Sequence, residues 1–70
     1  MAPVRIYVMY PAHGTRTWHV SVDGMDGESY PDGLLAMESA VNRARMLEEQ
    51  GFDVTVRQEG ADGSWQVIRE

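Results

Sequence analysis

The chain contains no cysteine and no lysine. Without cysteine there is no disulfide framework, no thiolate zinc ribbon and no thiol nucleophile. Without lysine every side-chain cation at neutral pH, histidine aside, is an arginine: Arg5, Arg16, Arg43, Arg45, Arg57 and Arg69. A coding bias explains this most simply. Arginine also makes planar bidentate pairs that lysine cannot. No apolar run approaches the roughly 18 residues of a membrane span. Met1-Ala2-Pro3 is not followed by a basic stretch and an apolar run, so no signal peptide is predicted and a cytoplasmic location is expected.

What is present suits one small domain, residues 1–70. The hydrophobic fraction is 43% and the charged fraction 24%, ordinary for a globular chain and too apolar for a disordered one. Six basic against 11 acidic residues leave a net charge of −5. That weighs against nonspecific binding to a phosphate backbone, which needs a basic surface. A domain of this size buries only about 60% of its unfolded surface. Domains so small often add a disulfide, a metal or a second copy. With disulfides excluded, homodimerisation is a candidate from the outset.

Hydrophobic periodicity predicts the elements. Val4, Ile6, Val8 and Tyr10 alternate with Arg5, Tyr7 and Met9, and Trp18, Val20 and Val22 alternate with His19 and Ser21. Period two marks two strands, joined across the turn residues 11–15 into a hairpin with Val8 opposite Trp18 and Ile6 opposite Val20. Residues 23–33 carry three Asp-Gly pairs and read as a loop, with a short extended piece at Glu28-Ser29-Tyr30. Asp32 is an N-cap candidate for a helix over 33–50. Leu34, Met37, Ala40, Val41, Ala44 and Leu47 fall on one stripe of that helix. Arg45 and Glu49, four apart, can pair on its outer side. Gly51 suits a left-handed C′ residue, and Phe52 the apolar contact that closes such a cap. Phe52, Val54 and Val56 form a third strand. Trp65 and Val67 face inward from a fourth, with Val67 opposite Val56.

The predicted architecture is an α+β domain of order β-β-α-β-β, a four-stranded antiparallel sheet with one helix packed on one face. The expected strand order is 2-1-3-4. Its inner face holds Val4, Ile6, Val8, Trp18, Val20, Val22, Phe52, Val54, Val56, Trp65 and Val67. The other face is left open, bearing Arg5, Tyr7, Met9, His19, Ser21, Thr55, Arg57, Gln66 and Ile68. Tyrosine, methionine and arginine are enriched at protein interfaces. Arg5, Tyr7, Met9, His19, Arg57 and Ile68 are therefore the candidate interaction residues, competing with a plain solvated face. Leu35 and Met46 are apolar residues on the polar side of the helix, where isolated examples are common.

Other chemistry finds little support. His13 and His19 lie six apart, one in a turn and one on the open face, short of the three or four convergent ligands a metal needs. The acidic segment 23–28 lacks the spacing and the distal glutamate of an EF-hand loop. No serine sits in a nucleophile elbow, and no glycine-rich loop joins a strand to a helix. No metal, cofactor, catalytic residue or small-molecule substrate is expected. Glu48, Glu49 and Asp53 cluster at the helix C-terminus, where the dipole disfavours them. The predicted function is a non-catalytic protein-interaction module, with a partner protein or a second copy of itself on the open face. The alternative is a nucleic-acid role, by binding through that face or by acidic mimicry of nucleic acid.

Trp18-His19-Val20, Ala40 and Ala44, Gly51, Val54 to Val56 and Asp62-Gly63 carry a resemblance to a family of small bacterial domains of unknown function. Those domains have an aromatic-x-Val strand, an alanine-spaced helix, a glycine, a valine-rich strand and an Asp-Gly turn. The likeness implies a bacterial α+β domain and brings no catalytic residue. The chain departs from that pattern in the Asp-Gly-rich loop after Val22 and in the strand after the last turn. The hairpin before a helix is also similar to the small α+β domains of bacterial antitoxins.

Overall fold

A computed structural model describes residues 3–23 and 27–69. The elements are β1 (Pro3–Met9), β2 (Trp18–Val22), β3 (Glu28–Tyr30), α1 (Gly33–Glu49), β4 (Asp53–Glu59) and β5 (Trp65–Arg69). One five-stranded sheet has the order β3-β2-β1-β4-β5. The helix lies on one face, so the α+β class stands. The acidic segment 23–28 centres on residues 24–26, outside the described ones.

The sheet differs from the predicted one in strand count and direction. It has five strands rather than four, because Glu28-Ser29-Tyr30 pairs with β2 as a true strand. It is mixed rather than fully antiparallel, because β1 and β4 run parallel. The second difference follows from the first. Each hairpin reverses the chain, and β3 adds one reversal before the helix carries the chain back. The four foreseen strands keep their predicted spatial order, with β3 added at the edge.

The first hairpin pairs Ile6 with Val22 and Val8 with Val20, a slip of two residues from the predicted register. A slip of two preserves which side chains face inward. The core is accordingly Val4, Ile6, Val8, Val20, Val54 and Val56 against Ala36, Ala40 and Ala44 of the helix, with Trp18, Val22, Tyr30, Leu47 and Phe52 packed around it.

The last hairpin changes parity. Arg57 lies opposite Val67 and Glu59 opposite Trp65, whereas Val56 lies opposite Arg69. Ile68 is the extra residue of a β-bulge between those two registers. Trp65 and Val67 thus leave the predicted core for the open face, where each is 47% exposed. Gln66 moves to the helix side. The cause is the turn. Strand β4 continues to Glu59, and Gly60 N–H donates to the Ser64 carbonyl. This closure aligns Trp65 with Glu59 and so with the Arg57 face.

The helix is also rotated from its predicted stripe. Ala36, Ala40 and Ala44 meet the sheet, while Leu34 is 70% exposed. Alanine at four-residue spacing lets the helix axis approach the valine-covered sheet closely, and the bulkier Leu34, Met37 and Val41 fall to its flank. Both predicted caps form. The Asp32 carboxylate accepts from Leu35 N–H at 2.8 Å. At the other end Gly51 N–H donates to Glu48 and Phe52 N–H to Leu47, the paired bonds of a Schellman motif. Gly51 has φ 96°, where an L side chain is strained.

Two ion pairs tie the helix to the sheet edges: Arg43 to Glu28 of β3, and Arg69 of β5 to Glu48. Arg45–Glu49 is not an ion pair among the described residues. Tyr30 adds a hydroxyl contact to Ser39. Arg69, paired with Glu48, offsets the charge conflict at the helix C-terminus.

Candidate functional site

One helix can shield one face of a sheet, and the face opposite α1 is the candidate site. Alternation along β1 places Arg5, Tyr7 and Met9 there, since Val4, Ile6 and Val8 point to the core. Register then assembles their neighbours. One cross-strand row reads Ser21, Tyr7, Arg57, Val67, and a second brings Met9 beside His19 and His19 beside Ser29. Arg5 lies beside Thr55. Five of the six candidate residues are thereby gathered on one surface. The sixth, Ile68, occupies the bulge and is 39% exposed, off the regular alternation that predicted its place.

The structure adds residues that the sequence placed elsewhere. Trp65 meets Tyr7 edge to face, with ring centroids 5.5 Å apart and planes at 77°. Such pairs contribute about 0.5–1.5 kcal/mol beyond their buried area. Val67 flanks Arg57, and Glu59 lies opposite Trp65. Tyr7, Met9, Trp65 and Val67 together make an apolar, partly aromatic patch at the β1–β4–β5 end of the face. Only the length of the closing turn in the sequence hinted at Trp65, because parity across a hairpin depends on the residues in its loop.

The polar groups on this face hold one another. Ser29 Oγ and His19 Nδ1 are 3.2 Å apart. Asp23, at φ 53°, accepts from Arg5 N–H through Oδ1 at 3.3 Å. Its own N–H donates to the Arg5 carbonyl at 2.7 Å, closing the end of the β1–β2 ladder. Glu59 Oε1 accepts from Tyr10 N–H at 3.0 Å, bracing the end of β1 against β4. Arg5, Arg57 and His19 all sit here with Glu59, in a molecule whose net charge is −5.

Concave features are modest. A depression of ≈ 210 Å³ is lined by Tyr10, Trp18, Gln58, Glu59, Gly60, Ser64 and Gln66. Two others, of ≈ 350 and ≈ 330 Å³, lie beside it and on the outer helix flank. All three fall below or at the low end of the roughly 300–1,000 Å³ typical of small-molecule sites. Among the described residues no group of three or more His, Asp or Glu is placed to hold a metal ion. His13 lies in the exposed turn, and His19 is engaged with Ser29. No helix among the described residues is long and apolar enough to cross a membrane.

The fold and this surface define a small α+β protein in which, among the described residues, the helix covers one sheet face and no element covers the other. Comparison with protein-family models, with curated proteins and with solved structures finds no match to this chain.

Proposed function

We propose that this protein is a non-catalytic interaction module that docks a protein, either a partner or a second copy, on the open face of its sheet. The observation carrying this reading is the cluster of Tyr7, Met9, Trp65 and Val67 around Arg57. Aromatic, methionine and arginine side chains on an apolar patch with a polar margin are the composition of interface centres. Photo-crosslinking in cells tests it. A crosslinking residue at Met9 or Arg57 captures a protein, one at Glu38 on the outer helix does not, and Trp65→Ser abolishes capture. Equal capture from both faces, or capture that survives Trp65→Ser, rejects the reading.

One observation favours a second reading. Trp65 joins Tyr7, which has Arg57 beside it in β4, and this gives the face two aromatic rings rather than one. Exposed aromatics beside arginines stack the bases of single-stranded nucleic acid at about 1–3 kcal/mol per base. Titration with oligouridylate at low salt, read by tryptophan fluorescence, decides this. Quenching that disappears in Trp65→Ser supports it, and an unchanged signal removes it.

A further inference from the structure

The geometry points to self-association through the outer edge of β5, in which two copies pair antiparallel about a two-fold axis at Gln66 to make one ten-stranded sheet. This goes beyond the docking reading and does not depend on it, because it uses the edge of the sheet rather than its face.

The two edges of the sheet are unequal. At one end β3 spans three residues and carries Glu28. At the other, β5 spans five residues, Trp-Gln-Val-Ile-Arg, with its first four exposed. Among the described residues β5 pairs only with β4, which leaves its outward backbone donors and acceptors free for another strand. Natural edges are blunted by lysine, proline, inward charge or a bulge. Here there is no lysine or proline, and both the inward charge, Arg69, and the bulge at Ile68 lie at the C-terminal end, so residues 65–67 stay regular.

That regular stretch is self-complementary. With Gln66 on the axis, Trp65 of each copy lies opposite Val67 of the other, and the two Gln66 side chains meet on the helix side. Aromatic against β-branched is a favourable cross-strand pair, and the two-fold makes it twice. Charge agrees. Arg57 neighbours Val67 and Glu59 neighbours Trp65. Each row across the junction therefore runs Arg57, Val67, then Trp65 and Glu59 of the second copy. One cation and one anion end each row, about 14 Å apart at the backbone. No like charges confront each other. The two open faces merge, placing both Tyr7–Trp65 pairs on one surface. An edge of five residues buries less than the roughly 800 Å² per partner of a standard interface, so the dimer is weak and forms with concentration.

Sedimentation velocity from micromolar to millimolar protein tests this. The native chain is expected to move from monomer towards dimer over that range. Gln66→Glu and Gln66→Lys each place like charges on the axis and weaken association about fivefold, and an equimolar mixture of the two recovers it. Met9→Ser, on the face in β1 with β4 between it and the edge, leaves association intact, which separates this from face docking. Isotope-filtered NOEs between the Trp65 indole and the Val67 methyls of the other copy read the same register without any variant. A monomer throughout, variants that associate like the native chain, a mixture that fails to recover, or the absence of those NOEs in a dimer overturns the proposal.

Discussion

At the residue scale, stability rests on a few positions whose chemistry is local. Asp32 satisfies an amide at the helix start that has no partner inside the helix. Asp32→Ala is expected to lower unfolding free energy by about 1 kcal/mol, read as a shift in urea midpoint with unchanged slope. Gly51→Ala keeps the apolar closure by Phe52 but forces a side chain into φ > 0, for an expected loss of about 1–2 kcal/mol by the same measurement. A third position reports pH. In the last turn the Asp62 carboxylate accepts from the Ser64 hydroxyl at 2.6 Å and from Ser64 N–H at 3.0 Å. These bonds, the hydroxyl first, hold its pKa below the ordinary aspartate value. A depressed folded value means that the turn's contribution is present above the unfolded pKa and fades as pH falls through the folded one. NMR titration of the Asp62 carboxyl should show a midpoint below that of an unstructured aspartate, and Ser64→Ala should raise it.

At the element scale, the decisive quantities are parity and rotation. Alternation in β1, β2 and β4 was plain in the sequence, and their inward valines are the observed core. Three residues at Glu28-Ser29-Tyr30 are too few to display a period, yet they reverse the chain and make β1 and β4 parallel. The helix illustrates a different limit. A hydrophobic stripe weighs leucine above alanine, but the sheet under α1 is already filled by Ile6, Val8 and Val56, all fully buried. Close approach to that surface selects Ala36, Ala40 and Ala44, and volume overrides hydrophobicity. Ala40→Leu should therefore destabilise although it is more apolar. The expected cost is about 1–3 kcal/mol, measured by thermal and urea unfolding. An unchanged midpoint would mean that the helix can lift from the sheet without loss.

At the scale of the whole molecule, the one helix and five strands of the described residues cover one face of the sheet and leave the other open. The contrast can be measured. Ile6→Ala removes a fully buried side chain and should cost about 2–5 kcal/mol, a large part of the roughly 4–10 kcal/mol expected for 70 residues. Trp65→Ser, with the larger side chain, should cost about 1 kcal/mol, the scale of its pairing with Tyr7. Equal losses in urea unfolding would mean that Trp65 belongs to the core. The unequal result leaves Trp65 available for contacts outside the molecule.

Local pattern along the chain was enough to specify the α+β class, both helix caps, the inward valines, and the placement of Arg5, Tyr7, Met9, His19 and Arg57 on one face. Each is set by contacts within a few residues or by a period that a strand carries along its own length. That β1 and β4 run parallel, that alanines seat the helix, and that Trp65 and Val67 join the open face was settled by contacts between elements. Those outcomes depend on how many times the chain reverses, on the volume between two layers, and on how a turn closes. They are properties of pairs of elements, and no stretch of one element contains them.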